Sequence, residues 1–244
     1  MSFLYNFDIE FRPLPQFLSR RVSQICFIMA NSLLRGMAWI AILILSIPMA
    51  AQKIYMVGDS HVGSKIYPKN IESTIKTKYP NAQLSYSYKN GLRFSTFEST
   101  SDIVRALVAF KPDIVVTNLG TNEAYTNRFS ASKLQKGMES FYAFLKKKLP
   151  DVKLVLVTPY TNKLKLNGKF ETNNNNRLAA DEILKFAKDH PDVYVVDANM
   201  EFGTKFIDSP KLIRDNVHLK VPGYEMLGKK VGEEMLAIPA LWTK

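Results

Sequence analysis

Five short runs of mostly apolar residues recur roughly every 30 to 40 residues from position 53 onward, and they constrain the fold more than any other feature. The runs are KIYMVG at 53–58, LSYSYK at 84–89, DIVVTNLG at 113–120, KLVLVTP at 153–159 and VYVVDA at 193–198. Stretches such as IVV and LVLV are apolar without alternation, which is typical of strands covered by helices on both faces. The runs therefore predict a buried parallel sheet.

The segments between these runs have the spacing of amphipathic helices. They span 66–79, 96–110, 130–149 and 173–189, and a closing helix spans 222–236. Pro112, Pro150 and Pro191 each stop a helix just before the next strand. Alternating strands and helices predict an α/β protein, a three-layer α/β/α sandwich with a five-stranded parallel sheet, formed by one domain over residues 52–244.

The amino-terminal 51 residues do not fit this pattern. The run MAWIAILILSIPMAA at 37–51 follows Arg35 and ends in small residues, which is the layout of a secretory signal. It is shorter than the roughly 20 residues that a bilayer-spanning helix needs. We therefore predict an amino-terminal extension and signal peptide over 1–51, cleaved before Gln52, with Met29 as an alternative start. An uncleaved membrane anchor is the other interpretation, and an intact amino terminus on the isolated protein would favour it.

Composition excludes several classes of protein. With 46% hydrophobic residues, 11 glycines and one cysteine in 244 residues, the chain is neither collagen-like, nor disordered, nor a disulfide scaffold. The single cysteine, Cys26, lies in the predicted extension, which leaves no cysteine downstream to bind a metal. Without residues 1–51, which hold four arginines and two acidic residues, 29 basic and 20 acidic residues remain, a net charge of +9.

The positive charge favours anionic surroundings such as acidic polymers or anionic surfaces. It does not point to nucleic acid, because no DNA- or RNA-binding motif accompanies it. The densest basic run, at 146–148, falls at the polar end of a predicted helix and is read as a solvated face.

Four polar segments lie where such a sheet gathers its ligands, beyond the carboxyl ends of the strands. They are Gly58-Asp59-Ser60-His61, Asn90-Gly91, Gly120-Thr121-Asn122-Glu123, and the segment from Asp215 to His218 before the last helix. Each is common by chance, but the predicted fold brings all four to one edge.

Their chemistry is complementary. A serine hydroxyl becomes a nucleophile when an imidazole held by a carboxylate takes its proton, which gives Ser60, His218 and Asp215 their predicted roles. The amide N–H groups of Ser60 and Gly91 and the side-chain amide of Asn122 are the predicted oxyanion hole. Asp59 is predicted to hydrogen-bond around the nucleophile loop. In isolation Ser60 would be read as a helix cap, and Asn122 and Gly91 as turn residues.

These residues, in this order, resemble the SGNH hydrolases, also called the GDSL esterase and lipase superfamily, over Lys53 to about Leu236. The superfamily is named for its block residues, which match Ser60, Gly91, Asn122 and His218. The resemblance implies a flavodoxin-like three-layer fold, a serine esterase mechanism, and no metal or organic cofactor. His61 departs from it, since many members have leucine there. We expect His61 at the rim or behind the catalytic residues, with direct substrate contact as the alternative, and Tyr125 as a second candidate contact.

The Gly-Asp-Ser-His block and the segment LGTNEAY at 119–125 look like those of bacterial envelope enzymes that remove O-acetyl groups from peptidoglycan. Carbohydrate deacetylases share these features, so we predict hydrolysis of acetyl or short acyl esters on a glycan by an exported bacterial enzyme in the periplasm, the envelope or the medium. A lysophospholipase or thioesterase, an acyltransferase, and a non-catalytic glycan-binding protein remain alternatives. Loops at 61–66, 92–97, 123–129 and 160–172 are expected to set acyl selectivity, and the sequence leaves the oligomeric state open.

Overall fold

A computed structural model describes residues 51–166 and 168–243. The predicted signal peptide lies outside the described residues apart from Ala51. The strands described are β1 (Lys53–Gly58), β2 (Gln83–Tyr88), β3 (Ile114–Thr117), β4 (Lys153–Val157), β5 (Lys163–Leu166), β6 (Lys169–Thr172) and β7 (Val193–Val196). The helices described are α1 (Ile66–Lys76), α2 (Ser101–Phe110), α3 (Thr121–Ala124), α4 (Ala131–Lys148), α5 (Asn175–Lys188), α6 (Ala198–Phe202) and α7 (Val221–Leu236). None of these helices is both long and apolar enough to cross a membrane.

Five strands form one parallel sheet in the order β2-β1-β3-β4-β7. The middle of β1 shows the register, since Met56 lies opposite Tyr86 of β2 and Val116 of β3. Successive side chains of a strand point to opposite faces, so each strand contributes to two cores. Ile54 and Met56 face one core, while Tyr55 and Val57 face the other.

The two cores place helices on both sides of the sheet. Helices α1 and α7 cover the first core, and α2, α4 and α5 cover the second. The predicted three-layer sandwich with its five-stranded parallel sheet is therefore confirmed. The apolar runs without alternation are explained by this double burial, because the residues of β3 are buried on both faces.

Two parts of the chain differ from the sequence-based expectation. The predicted strand at 113–120 is shorter, because the chain leaves the sheet after Thr117 and begins α3 at Thr121. The predicted loop at 160–172 instead contains an antiparallel hairpin of β5 and β6. The hairpin joins the rest of the fold through the Lys163 N–H, which donates to the carbonyl of Asn216 at 2.8 Å.

Close packing of α1 on α7 brings distant parts of the chain together. Gly228 and Gly232 of α7 face α1, and a Cβ at Gly228 would lie 2.6 Å from the carbonyl oxygen of Tyr67. Larger residues would separate the helices. Since α1 follows the segment of Ser60 and α7 follows that of His218, this contact draws the two segments to one edge of the sheet.

Candidate active site

The four polar segments singled out in the sequence border one cavity of about 570 Å³ at the carboxyl edge of the sheet. Ser60, Gly91, Asn122 and His218 all line it. The fold therefore brings together residues that are as much as 158 positions apart. The cavity is within the size range of pockets for small organic ligands and is larger than an acetyl group needs.

A continuous hydrogen-bonded line runs through the cavity wall. The Oγ of Ser60 lies 2.9 Å from Nε2 of His218. On the other side of the ring, Nδ1 of His218 lies 3.1 and 3.0 Å from the two carboxylate oxygens of Asp215. With the Nδ1 proton donated to Asp215, Nε2 is left as an acceptor for the serine proton. This arrangement has the geometry of an activated serine nucleophile.

The loop around Asp215 explains how an Asp and a His three residues apart come to face each other. Oδ1 of Asp215 accepts the N–H groups of Val217 at 2.8 Å and His218 at 2.7 Å, which closes a turn on its own side chain. The N–H of Arg214 also donates to the carbonyl of His218 at 2.8 Å. The loop is thus held by its own backbone, and the two side chains emerge on the same side.

The environment of Asp215 keeps its carboxylate charged. Partial burial raises its pKa, but the N–H groups of His218 and Val217, together with the His218 ring, outweigh burial and hold the pKa at about 2. The Nε of Arg214 lies 3.2 Å from Oδ2 of the same carboxylate. Asp215 therefore remains an anion at any pH at which the protein is ordinarily assayed.

Two backbone N–H groups beside Ser60 are available to an incoming oxygen atom. Among residues 51–166 and 168–243, neither the N–H of Ser60 nor that of Gly91 has a hydrogen-bond acceptor. Gly91 has a φ of 74°, a conformation that favours glycine, and a Cβ there would meet no atom of the described residues within 4 Å. The positive φ, rather than a crowded neighbour, accounts for the glycine. Both groups line the cavity.

The side-chain amide of Asn122 is differently engaged. Its Nδ2 donates to Oδ2 of Asp59 at 2.7 Å and to the carbonyl of Leu92 at 3.1 Å. Both hydrogens of the amide therefore have protein acceptors, and an oxyanion would have to share one of them. The predicted role of Asn122 as an oxyanion donor stays a prediction.

Asp59 directly precedes Ser60 and is completely buried. Burial raises its pKa to about 6 against the opposing effect of its hydrogen bonds and of His218. Its Oδ1 accepts the His61 N–H at 2.9 Å, and its Oδ2 accepts the Asn122 amide. Asp59 thus ties the loop of Ser60 to the third polar segment through hydrogen bonds, as predicted, while the absence of a catalytic role for Asp59 stays a prediction.

The structure places His61 behind Ser60 and His218 and not at the rim, with only 1% of the residue exposed. Burial, and then the neighbouring His218, lower the pKa of His61 to about 3, so its ring is neutral. Nδ1 lies 3.1 Å from the Tyr224 hydroxyl and 3.2 Å from the Tyr160 hydroxyl. The Tyr160 hydroxyl donates to the carbonyl of Val217 at 2.7 Å. His61 and Tyr160 therefore connect the segment of Ser60 to the loop of His218.

Sequence reasoning missed several residues of the site. Tyr88, Arg214 and Tyr224 line the cavity beside Tyr125, which was predicted and is 36% exposed. Tyr88 could have been found from its place at the carboxyl end of β2. Glu123 had no predicted role, and in the structure its Oε1 accepts the N–H of Phe94 at 2.7 Å. Burial raises the pKa of Glu123 to about 7.

The described residues contain no cluster of three or more His, Cys, Asp or Glu side chains that could hold a metal ion.

Solved structures with the same fold include esterases of two kinds. An acetyl xylan esterase, AlAXEase, aligns with a TM-score of 0.61 at 21% identity, over 75% of this chain and 98% of its own. A peptidoglycan O-acetylesterase aligns with a TM-score of 0.66 at 10% identity, over 78% and 92% of the two chains. Axe2, an acetylxylan esterase from Geobacillus stearothermophilus, aligns with a TM-score of 0.59 at 14% identity, over 80% and 98%. A search of curated protein sequences found no match.

A family model identifies the chain more directly. The model of the GDSL-like lipase/acylhydrolase family matches residues 72–226, well over half of the sequence. The match includes the segments of Gly91, Asn122 and His218, while the segment of Ser60 precedes it. The chain therefore belongs to the GDSL-like lipase/acylhydrolase family, within the SGNH hydrolase superfamily, and is a hydrolase of carboxylic esters.

Proposed function

We propose that this protein is an exported serine esterase that removes acetyl or other short acyl groups from a glycan through an acyl-Ser60 intermediate. The observation that carries the proposal is the line from Ser60 through His218 to Asp215, which opens directly onto the cavity. A buried serine, or one paired only with backbone, would not support this mechanism.

The acylation half follows from this geometry. His218 Nε2 takes the proton of Ser60 as Oγ attacks the ester carbonyl carbon. The resulting oxyanion receives hydrogen bonds from the N–H groups of Ser60 and Gly91. When the intermediate collapses, the bond to the sugar oxygen breaks, and the imidazolium returns its proton to that oxygen. The sugar leaves as an alcohol, and the acyl group stays on Ser60.

Deacylation repeats these steps with water. His218 accepts a proton from a water molecule that attacks the acyl carbon, and it then protonates Oγ of Ser60 as the carboxylic acid leaves. Asp215 stays charged throughout, because its pKa is about 2, and stabilises the imidazolium. Asp59, His61 and Tyr160 hold the surrounding loops and take no part in bond making.

Three observations support a glycan as the substrate. The described residues that line the cavity are almost all polar or aromatic, with Val217 as the single aliphatic one among them. The charge is positive, as suits an anionic envelope or an acidic polysaccharide. The similar esterases named above act on acetylated xylan and on peptidoglycan. Export is supported by the signal-like segment at 37–51.

The test is acetate release by wild type, Ser60→Ala and His218→Ala from ethyl acetate, acetylated xylan and O-acetylated peptidoglycan. We expect release from an acetylated glycan and a loss of at least about a thousandfold in either variant. Ser73→Ala, which alters an exposed serine of α1, is the matched control. Full activity of Ser60→Ala would refute the nucleophile. Binding of the glycan without any hydrolysis would revive a non-catalytic binding protein.

A further inference from the structure

Two tyrosine rings stand exposed in the cavity that contains Ser60. Tyr88 is 43% exposed and Tyr125 is 36% exposed, and both line the cavity. Most other aromatic residues in the cores are buried, as in the pair Phe97 and Phe141. An aromatic ring left in solvent beside a reactive group costs apolar burial and is typical of a binding surface.

The ring of Tyr88 is held in place by the backbone. Tyr88 ends the edge strand β2, opposite Gly58 of β1. A Cβ at Gly63 would lie 2.7 Å from two atoms of the Tyr88 ring, so the ring packs directly on the glycine three residues after the nucleophile. A ring that is already fixed loses little conformational entropy when a ligand covers it.

Tyr125 lines the cavity from a different segment of the chain. It follows α3 directly, and its N–H donates to the carbonyl of Thr121 at 2.8 Å. Thr121 is buried and also lines the cavity. The chain at Tyr125 is therefore fixed to the same short helix that carries Asn122.

The other residues of the cavity wall favour an ester of a sugar over an ester of a long acyl chain. A long acyl chain needs continuous aliphatic surface, whereas Val217 is the one aliphatic side chain that the described part of the chain contributes to the lining. A sugar ring presents apolar C–H faces together with hydroxyl groups, which suits aromatic rings surrounded by amides and hydroxyls. Asn90 and Ser64 add such polar groups to the lining.

We infer that Tyr88 and Tyr125 form a sugar-binding subsite, in which the Tyr88 ring stacks on the pyranose that carries the ester. The inference rests on the proposed glycan esterase activity and deepens it. The subsite places the sugar, while the polar part of the cavity takes only a short acyl group. Selectivity then arises from the alcohol half of the ester.

The experiment compares two substrates that share the acetyl ester, namely acetylated xylo-oligosaccharides and ethyl acetate, which has no ring. For Tyr88→Ala we expect KM for the oligosaccharide to rise about tenfold, and a several-fold smaller change in kcat/KM for ethyl acetate. Tyr125→Ala should act in the same direction. Tyr88→Phe keeps the ring and should stay within about twofold of wild type. Leu178→Ala, which removes a 50% exposed side chain of α5 outside the cavity lining, is the control.

Calorimetry measures the binding of the oligosaccharide to the Ser60→Ala variant with and without Tyr88→Ala, which separates affinity from chemistry. A thermal unfolding curve confirms that each variant is folded. An unchanged KM in Tyr88→Ala, with wild type active on the oligosaccharide, would overturn the subsite and leave the proposed function intact. No activity of wild type on acetylated xylo-oligosaccharides or O-acetylated peptidoglycan fragments would overturn the glycan substrate itself. An equal rise in KM for ethyl octanoate would make Tyr88 a wall for acyl chains and overturn the subsite.

Discussion

Two sets of polar residues meet at Ser60, and they differ in exposure to solvent. The catalytic line of the proposed mechanism consists of Ser60 and His218, which line the cavity, and Asp215, whose side chain is 44% exposed. The buried frame, Asp59, His61 and Tyr160, lies behind it with at most 4% of any residue exposed. Both sets contain hydrogen-bonded imidazole and carboxylate groups, so residue type alone does not distinguish them.

The two aspartates show what the difference in surroundings does. N–H donors and His218 outweigh partial burial and hold the pKa of Asp215 at about 2, whereas burial outweighs similar bonds and raises the pKa of Asp59 to about 6. Environments that separate the pKa values of neighbouring groups assign them different tasks. The permanently charged Asp215 suits the stabilisation of an imidazolium, and Asp59 suits the holding of backbone and amide groups.

The largest expected effect separates these two carboxylates. Asp215→Asn removes the negative charge that stabilises the imidazolium and disturbs the Nδ1 hydrogen bond, so kcat should fall by about 100- to 10,000-fold. Asp59→Asn keeps one oxygen to accept the His61 N–H, and kcat should fall by only about tenfold. Ester hydrolysis is measured for both variants under identical conditions. An equal or larger loss in Asp59→Asn would show that the buried frame enters the chemistry.

The same variants identify the source of the acid limb of the pH profile. The proposed mechanism needs a neutral base beside Ser60, so activity should fall on acidification, and Asp215, with its pKa of about 2, does not contribute. Asp59 loses its charge as the pH falls through about 6, so it is a competing source of the acid limb. Disappearance of the limb in Asp59→Asn assigns it to Asp59, and persistence of the limb excludes Asp59.

A smaller effect is expected from the link between the buried frame and the catalytic line. Tyr160→Phe removes the hydroxyl that donates to the Val217 carbonyl, next to His218, and kcat should fall about five- to tenfold with KM nearly unchanged. The kcat and KM values for ethyl acetate are the measurement, and the pH profile shows whether the imidazole is displaced.

Tyr67→Phe is the matched control for this change. Tyr67 is fully buried in the same core, and within the described residues its hydroxyl has no hydrogen-bond partner. An equal loss of kcat in both variants would mean that removal of any buried hydroxyl loosens the core, and the positioning role of Tyr160 would be wrong.

The contrast between line and frame also explains what the sequence could predict. The strands were predictable because a strand that is buried on both faces needs an unbroken run of apolar residues. The catalytic line was predictable because each of its members follows such a run or precedes the last helix. The frame was not, because the contact of His61 with Tyr160 joins residues 99 positions apart and leaves no local pattern. Burial of His61, in particular, depends on α7, which supplies Tyr224.

Another feature could have been predicted from the sequence. The segment 163–172 alternates polar and apolar residues before Asn167-Gly168, which is typical of a hairpin rather than of an irregular loop. The partners of Asn122 had no such signal, because one of them, the Leu92 carbonyl, is a backbone group of another loop. A motif thus indicates which residue is present but not where its hydrogen bonds go.

The smallest expected effect extends the comparison to a third carboxyl group, that of Glu123, which follows Asn122 in the third polar segment. Burial raises its pKa to about 7, its Oε1 accepts the Phe94 N–H, and its buried Oε2 has no partner among the described residues. The folded state therefore binds the proton of Glu123 more tightly than the unfolded state does. The stabilisation is complete below the unfolded pKa of about 4.5 and is lost as pH rises through about 7.

Glu123→Gln should remove this dependence, because an amide does not titrate while its oxygen can still accept the Phe94 N–H. Between pH 4.5 and 8, wild type should lose on the order of 1–3 kcal/mol of unfolding free energy relative to the variant. Urea unfolding at several pH values gives the difference, and Glu225→Gln, an exposed glutamate of α7, should run parallel to wild type. Parallel curves for wild type and Glu123→Gln would mean that Glu123 titrates as it does in water. Burial would then raise the pKa of Glu123 less than it raises that of Asp59, and the contrast between buried and partly exposed carboxyl groups would rest on Asp59 alone.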